Sequence, residues 1–365
     1  MIALSPAWAS GRSINLREAL DRMPRVSLGE FPTPLNELRR LSSVLGGPRI
    51  LMKREDLSGL AMGGNKARVL EYVLGDAVAR GCDAVVTGAA VQSNLCRQVA
   101  AAAAKVGMRA SLILSGVFPP RAEGNLLLDY VFGAEIIPAS AGELTDQSCL
   151  ESAADGLRSR GYNPYIINLM GDTGPLGAVS FADCMLELEG QLRAADVHEA
   201  TIYVTSGSGG THAGLLLGAG FVELPIRVQG VSIMYPKVVL ESRVSNILCE
   251  SSRLLGLTVP QPEGVVAVDD NYSGGDYGVL TPAAKEAIEV TARTEGILLD
   301  PLYTGKAMSA LMDHIRQGKL AKDSTVVFIH TGGTPAIFAY GDWLMNGMEG
   351  YGCDRTSSVR ETYMG

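Results

Sequence analysis

The chain has 365 residues, of which 47% are hydrophobic and 19% are charged, and its formal net charge at pH 7 is −8. This length and composition are typical of a globular protein with two domains or one large α/β domain. Because no basic cluster accompanies the negative net charge, the composition argues against a nucleic-acid partner and favours a small ligand.

Apolar strand patterns and amphipathic helix patterns alternate along most of the chain. The proline-dense segment 31–34 predicts an entry turn, because proline fits neither a helix interior nor a central strand. The predicted strands are 49–53, 84–86, 110–114, 165–168, 201–204, 228–233 and 325–329. The predicted helices are 95–106, 125–132, 176–193, 212–219, 282–295, 305–316 and 335–344. This alternation predicts an α/β fold with mainly parallel sheets, in which ligands bind at the carboxyl ends of strands.

The first loop of interest ends in Gly63-Gly64-Asn65-Lys66. Apolar residues follow it at helical spacing, so the sequence predicts a helix with Lys66 in its first turn. The unpaired N–H groups and the macrodipole at a helix start disfavour an ammonium, and a neutral lysine is a nucleophile. Lys66 is therefore predicted to be a Schiff-base lysine, with Asn65 as its polar neighbour. A solvated lysine at a helix start is the alternative that these four residues leave open.

A second loop covers residues 87–94, between a predicted strand and a predicted helix. Its last two residues, Ser93 and Asn94, fall at the cap positions of that helix. Amide N–H groups at a helix start can bind a carboxylate, and these two side chains can reach a ligand. Helix capping alone would explain both residues equally well.

A third loop, with the sequence TSGSGGTHAG, covers residues 205–214. It supplies glycines that expose backbone N–H groups and hydroxyls that can donate hydrogen bonds: Ser206, Gly207, Ser208, Gly209, Gly210 and Thr211. The loop lacks the lysine of a P-loop and the acidic residue that a dinucleotide-binding fold places about 20 positions later. It therefore predicts a monophosphate site at a helix start, with a turn needed only for tight packing as the alternative.

Six scattered cysteines form no CxxC pair, which favours reduced thiols over a disulfide framework or a zinc site: Cys82, Cys96, Cys149, Cys184, Cys249 and Cys353. No charged leader precedes a long apolar run, and no apolar stretch has the length needed to span a membrane. We therefore expect a cytoplasmic protein that binds neither a membrane nor a metal.

Several motifs in order resemble the pyridoxal-phosphate-dependent family that contains D-cysteine desulfhydrase and 1-aminocyclopropane-1-carboxylate (ACC) deaminase: GGNKARVLEY, TGAAVQSNLCRQVAAAAAKVGM, GNLLLDYVFGAE, TSGSGGTHAG, LDPLYTGKAM and FIHTGG. The resemblance implies pyridoxal 5'-phosphate as the cofactor, a homodimer, and the fold-type-II architecture of two doubly wound α/β domains with the cofactor cleft between them. The larger, cofactor-binding domain would comprise residues 1–68 and 176–365. Residues 69–175 would form a smaller α/β domain that closes over the substrate.

The resemblance also assigns the cofactor contacts. Lys66 would hold the cofactor covalently, Asn94 with Asn65 nearby would face the ring hydroxyl, and residues 206–211 would hold the phosphate. Thr304 would face the pyridine nitrogen, where ACC deaminases carry a glutamate. A carboxylate there stabilises a protonated ring and a deeper electron sink, as cyclopropane opening requires, whereas threonine leaves the ring neutral and suits ordinary β-elimination.

The substrate contacts implied by the resemblance are Ser93, Asn94 and Leu95. Tyr277 and Tyr303 would handle the leaving group, because a phenol can exchange its proton with a departing group. Without the resemblance, each tyrosine is an ordinary aromatic that anchors a loop. Related desulfhydrases carry histidine where this chain has Leu95. Since leucine cannot bind a carboxylate or a sulfonate, either Ser93 and the backbone suffice or the substrate has a less polar β-group than cysteine or cysteate.

Together these features predict a pyridoxal-phosphate-dependent lyase. It would remove the α-proton of a small amino acid, D-cysteine or a similar one, expel the β-substituent, and release ammonia and a 2-oxo acid. An ACC-deaminase-like or cysteate-lyase-like activity on the same scaffold is the alternative enzyme. A non-catalytic pyridoxal-phosphate or amino-acid binding protein is the alternative of another class, disfavoured because the chain retains both Lys66 and Tyr303.

Overall fold

The computed structural model describes residues 12–140, 147–259 and 264–346. Within these ranges, ten strands form two sheets: β1 (Leu35–Glu37), β2 (Arg49–Lys53), β3 (Ala84–Ala90), β4 (Arg109–Ser115), β5 (Glu135–Ala139), β6 (Pro164–Ile166), β7 (Ala200–Ser206), β8 (Ile226–Ser232), β9 (Ala267–Asp269) and β10 (Thr325–Ile329). The predicted α/β fold is confirmed, because these strands alternate with helices along the chain.

The helices in the same ranges are α1 (Arg12–Asp21), α2 (Arg39–Leu45), α3 (Lys66–Ala79), α4 (Asn94–Val106), α5 (Gly124–Val131), α6 (Gln147–Arg158), α7 (Thr173–Ala194), α8 (Gly210–Ala219), α9 (Lys237–Leu254), α10 (Pro282–Glu295), α11 (Thr304–Arg316) and α12 (Gly341–Met345). Short 3₁₀ turns occur at Glu55–Leu57 and Leu60–Met62, between β2 and α3. A longer 3₁₀ segment, Thr334–Tyr340, follows β10.

The larger sheet has the strand order β1-β2-β10-β7-β8-β9. Every neighbouring pair is parallel except β1 and β2 at one edge. The central strands β10 and β7 are nearly continuous apolar runs with buried side chains, as expected where helices cover both faces of a parallel sheet. Because these strands run the same way, the loops that follow them start at one edge of the sheet.

The smaller sheet has the order β5-β4-β3-β6, and all its pairs are parallel. All four strands fall between residues 84 and 166, inside the range 69–175 that the sequence assigns to a smaller domain. The exact domain boundaries at 68/69 and 175/176 stay a prediction. The existence of a second parallel sheet means that a second set of carboxyl-end loops is available to build a site.

Two strands extend two or more residues beyond the carboxyl ends that the sequence predicts. β3 continues to Ala90 and β7 to Ser206, although the sequence pattern predicts loops from Thr87 and from Thr205. The reason is pairing: β3 stays in register with β4 through Ala90, and β7 stays in register with β8 through Ser206. Pairing with the neighbouring strand therefore keeps these residues in strands, although glycine and serine locally favour a loop.

Some elements were missed, and one predicted helix was wrong. The sequence pattern did not predict β1, β5, β9, α1, α2, α6 or α9. The helix predicted at 335–344 is instead the 3₁₀ segment Thr334–Tyr340 followed by the one-turn helix α12. Gly341 stands at the junction, and glycine weakens a continuous helix because it has more backbone freedom to lose. The turn predicted at 31–34 is confirmed, since these residues lie outside every helix and strand.

The cysteines and helices in the described ranges bear on the other expectations. Cys82, Cys96, Cys149, Cys184 and Cys249 are free thiols, as predicted, and Cys353 lies outside the described residues. Among the described helices, none combines the length and apolar character that crossing a membrane requires.

Two glycines let α8 pack directly on α7. A Cβ at Gly214 would lie 2.0 Å from the carbonyl oxygen of Ala178, and a Cβ at Gly218 would lie 2.4 Å from Cβ of Met185. Such distances are far inside van der Waals contact, so only glycine allows the helices to approach this closely. Because α8 starts at the glycine-rich loop, this packing also fixes where that loop lies.

Gly214→Ala should therefore lower the free energy of unfolding by about 1–3 kcal/mol, the usual cost of overpacking. The obstacle is a backbone oxygen, which cannot move aside as a side-chain end can. Urea unfolding followed by circular dichroism measures the change. Gly190→Ala is the matched control, because Gly190 lies in α7 and a Cβ there meets no atom within 4 Å. Equal stability changes in the two variants would contradict this account of the packing.

Candidate active site

A cavity of about 340 Å³ opens at the carboxyl ends of strands from both sheets. Its wall brings together most of the residues that the sequence analysis selected: Asn65, Lys66, Ser93, Asn94, Leu95, Ser206, Gly207, Ser208, Gly209, Thr211, Tyr277 and Tyr303. Two selected residues, Gly210 and Thr304, are not part of the lining. Residues that are far apart in the sequence thus meet in one place.

Lys66 is the first residue of α3, as predicted. Its side chain is partly open to the cavity, and burial by the surrounding protein lowers the pKa of its amine to about 8. Lys66 Nζ donates to Asn65 Oδ1 at 3.2 Å, and Asn65 Nδ2 donates to Thr211 Oγ1 at 2.9 Å. The site therefore holds a lysine whose neutral, nucleophilic form is far more populated near neutral pH than that of an ordinary lysine, at a fixed place relative to the glycine-rich loop.

The loop before Lys66 is held rigidly. A Cβ at Gly63 would lie 1.7 Å from the carbonyl oxygen of Asp56, so no other residue fits there. Arg68, in the first turn of α3, makes two hydrogen bonds to the buried carboxylate of Glu55, at 2.7 Å and 3.0 Å. A bidentate pair of this kind fixes both distance and angle. The start of α3 is thus tied to the segment that follows β2.

The start of α4 forms the opposite wall. Ser93 is the N-cap residue, as predicted, and its Oγ accepts from Leu95 N at 3.2 Å and from Cys96 N at 3.3 Å. A hydroxyl that accepts two bonds still has its own hydrogen to donate, so capping does not prevent Ser93 from binding a ligand. Asn94 opens the helix, and the half-buried Leu95 adds an apolar patch to the wall.

The glycine-rich loop joins β7 to α8 in three residues. Gly209 has φ +89°, a left-handed conformation that glycine adopts without strain. Ser206 Oγ is buried and has no hydrogen-bond partner within the described residues. An unpaired buried hydroxyl costs free energy, and this one lies in the cavity wall beside the first N–H groups of a helix. Such an arrangement is ready to bind an anion.

Tyr277 and Tyr303 lie side by side in the cavity wall, and their hydroxyl oxygens are 3.0 Å apart. Burial raises the pKa of Tyr277 to about 12. Burial and the neighbouring Tyr277 raise the pKa of Tyr303 well above the ordinary value. Both phenols are therefore protonated at neutral pH, and one of them can donate its hydrogen into the cavity while the other supports it.

Thr304 lies behind Tyr303 and is fully buried. Its Oγ1 accepts from Asp300 N at 2.8 Å and donates to Asp300 Oδ1 at 2.7 Å. Asp300 accepts further hydrogen bonds from backbone N–H groups at the start of α11. The single hydroxyl hydrogen of Thr304 is therefore used inside the protein, and this residue has no hydrogen to give to a ligand.

Sequence reasoning missed several parts of the wall. Residues 233–235 follow β8, and the rule that ligands bind at carboxyl ends of strands could have identified them. His212 follows Thr211 directly; it is buried, and burial lowers its pKa to about 4, so the ring is neutral at neutral pH. Leu150 comes from α6, which was not predicted. With His212 neutral, Lys66 carries the one ionisable charge among the described lining residues.

Known proteins share this sequence and fold. The sequence profile of the family described as "Pyridoxal-phosphate dependent enzyme" matches residues 26–332. A D-cysteine desulfhydrase of Salmonella choleraesuis (strain SC-B67) is 39% identical over 327 residues, which cover 88% of this chain and 97% of that protein. A D-cysteine desulfhydrase of Serratia proteamaculans (strain 568) is 37% identical over 333 residues, covering 90% and 99%.

A solved structure supports the same relationship. The crystal structure of a protein described as "the ACC deaminase homologue" has a TM-score of 0.82 and 37% sequence identity. The match covers 91% of this chain and 98% of that one. The similarity therefore extends over both sheets and the cavity between them.

Lys66 should react with a small aldehyde as an amine of pKa about 8. Its rate of modification should rise with pH through that value, because only the neutral amine attacks a carbonyl and its fraction grows as pH passes the pKa. Borohydride reduction followed by peptide mass spectrometry measures the rate at each pH. The exposed Lys319 in the same digest is the internal reference. The variant Lys66→Ala shows which peptide signal comes from Lys66, because that signal should be lost. A midpoint at the ordinary lysine value of 10.5 would contradict the inferred burial.

Proposed function

This chain belongs to the family of pyridoxal-phosphate-dependent enzymes, and we propose that it is a lyase of the desulfhydrase type. Its reaction would be α,β-elimination on a small β-substituted amino acid such as D-cysteine, followed by hydrolysis with one water molecule, which yields a 2-oxo acid, ammonia and the departing β-group. The observation that carries the proposal is one cavity in which a lysine with a lowered pKa and an anion-binding glycine loop are joined through Asn65.

The residues in the cavity fit the cofactor. Lys66 would bind its aldehyde carbon, and Ser206 with the N–H groups that open α8, including that of Gly210, would hold its phosphate. The unpaired Ser206 hydroxyl supports this assignment, because a phosphate oxygen would give it the partner that the protein does not. When bound, pyridoxal phosphate supplies an electron sink that stabilises negative charge at the substrate's α-carbon.

Lys66 would also serve as the base of the reaction. A lysine must be neutral to take up a proton, and burial has already lowered the pKa of this amine to about 8. The Nζ atom would accept the proton from the α-carbon of the substrate. Asn65 would keep that amine in place through the 3.2 Å hydrogen bond to its Oδ1.

The substrate's carboxylate would lie at the start of α4. Ser93 would donate its hydroxyl hydrogen, and the helix N-terminus would add a positive potential. Leu95 would contact the β-substituent. Because the described lining residues offer this part of the substrate no arginine or lysine besides Lys66, a strongly anionic side chain such as the sulfonate of cysteate fits poorly.

The tyrosine pair would assist the leaving group. A basic β-substituent such as a thiolate departs more readily when it takes up a proton, and the raised pKa values of Tyr277 and Tyr303 keep both hydrogens available for this at neutral pH. The 3.0 Å contact between the two oxygens lets the phenol that remains protonated stabilise the one that has donated.

Thr304 is proposed to lie on the ring-nitrogen side of the site, although it is buried behind Tyr303 and outside the cavity lining. Its hydrogen is already donated to Asp300, so it would leave that nitrogen unprotonated. The electron sink would then be weaker than one supported by a carboxylate, which suits β-elimination better than opening of a cyclopropane. The similarity to an ACC deaminase homologue keeps ACC deamination as the second candidate activity.

The remaining parts of the proposal concern organisation. We propose that residues 69–175 form the smaller domain, supported by the four-stranded sheet that lies within that range. We also propose a homodimer, as the resemblance to this family implies, and we propose the cytoplasm as its location. The substrate would be a small amino acid rather than a macromolecule, because the cavity of about 340 Å³ accommodates the cofactor and little more.

A substrate panel tests the proposed reaction. The enzyme loaded with pyridoxal phosphate should release 2-oxo acid from D-cysteine or β-chloro-D-alanine, and it should leave ACC unchanged. Coupled lactate dehydrogenase assays measure the 2-oxo acid, and both enantiomers of each alanine derivative should be included. Turnover of ACC without turnover of any β-substituted alanine would establish the second candidate, and cofactor binding without any turnover would favour a binding protein.

The same panel tests Leu95. Leu95→His should raise kcat/KM for D-cysteine relative to β-chloro-D-alanine, because the ring would offer a polar contact near the β-group. The change should be modest, since one hydrogen bond to a charged group contributes about 1.5–3 kcal/mol and Ser93 already supplies part of it. Leu127→His, on the exposed side of α5, is the matched control. An unchanged ratio in Leu95→His would mean that Leu95 does not select the substrate.

A further inference from the structure

Asn94 can present either of two opposite groups to the cavity. Its amide carries an acceptor oxygen on one side and a donor NH₂ on the other. In this structure, Asn94 Oδ1 accepts from Asn125 Nδ2 at 2.9 Å. No protein group in the described residues accepts from the Asn94 NH₂. The NH₂ group of Asn94 is therefore free to face the cavity, provided that the side-chain amide of Asn125 cannot rotate by about 180°.

Two separate contacts prevent the side-chain amide of Asn125 from rotating to the opposite orientation. Its Oδ1 accepts from Arg97 Nη1 at 3.2 Å, and a guanidinium can only donate. Its Nδ2 donates to the backbone carbonyl of Gln92 at 2.8 Å, and a carbonyl can only accept. In a reversed amide, the NH₂ group would face the Arg97 guanidinium, which is also a donor, and the amide oxygen would face the Gln92 carbonyl, which is also an acceptor. Asn125 therefore has one possible orientation, and the orientation of Asn94 follows from it.

Arg97 is itself fixed and remains charged. Both Arg97 and Asn125 are fully buried, and Arg97 Nη2 donates to the carbonyl of Gly63 at 2.9 Å, in the loop that precedes Lys66. Burial lowers the pKa of Arg97 only to about 10, so it is a cation at neutral pH. The buried carboxyl group of Asp129 lies near enough to interact electrostatically with it. One guanidinium thus contacts both the Lys66 loop and the residue that orients Asn94.

We propose that Arg97 and Asn125 are positioning residues that hold the Asn94 amide with its N–H toward the cavity, so that this point of the site selects an acceptor oxygen. This inference rests on the proposed function, in which that acceptor is the ring oxygen of pyridoxal phosphate. Neither positioning residue lines the cavity, and both act through Asn94. A donor at this place stabilises negative charge on the ring oxygen and makes it less basic.

The chain of contacts from Arg97 through Asn125 to Asn94 is called the relay below. Asn125→Asp tests this relay while preserving the size of the side chain and its contact with Arg97. The new carboxylate cannot donate, so the Asn94 amide should turn and direct its oxygen into the cavity. Cofactor affinity, measured by fluorescence titration, should fall by about tenfold or more, the effect of losing one hydrogen bond to a charged group. The pH midpoint of the visible absorbance change of the bound cofactor should rise, because the ring oxygen loses its donor and holds its proton more tightly.

Asn94→Asp removes the same N–H directly and should shift the pH midpoint in the same direction. In an Asn94→Ala background, Asn125→Asp should cause no further shift, because the relay acts through Asn94 alone. Leu126→Ala is the control for general loosening of α5, since Leu126 is buried in that helix and lies outside the cavity. This variant should lower the unfolding temperature without moving the midpoint.

The possible outcomes distinguish failure of the proposed function from failure of the relay alone. A wild-type protein that does not bind pyridoxal phosphate would overturn both the proposed function and the relay. A wild-type protein that binds the cofactor, with Asn125→Asp leaving the midpoint unchanged, would overturn the relay alone. The relay would also be wrong if Asn125→Asp shifts the midpoint as much in the Asn94→Ala background as in the wild type, or if Leu126→Ala shifts it equally.

Discussion

A single amide side chain connects the two loops on which the site depends. Asn65 accepts from the amine of Lys66 through its oxygen and donates to the hydroxyl of Thr211 through its nitrogen. The start of α3 and the start of α8 are therefore held at one separation, although Asn65 and Thr211 are 146 positions apart in the sequence. A ligand that bonds covalently to the lysine and electrostatically to the glycine-rich loop must match that separation.

The two parallel sheets explain why such loops converge. Each sheet directs the carboxyl ends of its parallel strands to one edge, and helices α3, α4 and α8 begin at the cavity where those edges meet. Three helix starts supply a positive potential, and Lys66 adds the one charged side chain among the described lining residues. Burial by the same walls lowers the pKa of Lys66 and raises those of the two tyrosines.

Local signals in the sequence were sufficient for much of this site. Lys66 at a helix start and Ser93 at an N-cap depend on residues a few positions away, so their places could be predicted. The contact between Asn94 and Asn125 spans 31 residues and arises only when α4 and α5 pack, so no local pattern indicates it. The capture of the Thr304 hydroxyl by Asp300, four residues earlier, was within local reach and was overlooked. Three-residue strands such as β1 and β9 are too short to show a period.

The central claim is that one cofactor is held at once by Lys66, by the loop of residues 206–211 and by Asn94. A crystal structure of the protein grown with pyridoxal phosphate tests it most directly. The account predicts continuous density from Lys66 Nζ into the ring, with the phosphate at the start of α8 and the ring oxygen beside the Asn94 N–H. A phosphate seated at the start of α4, or a covalent bond to any other lysine, would contradict it.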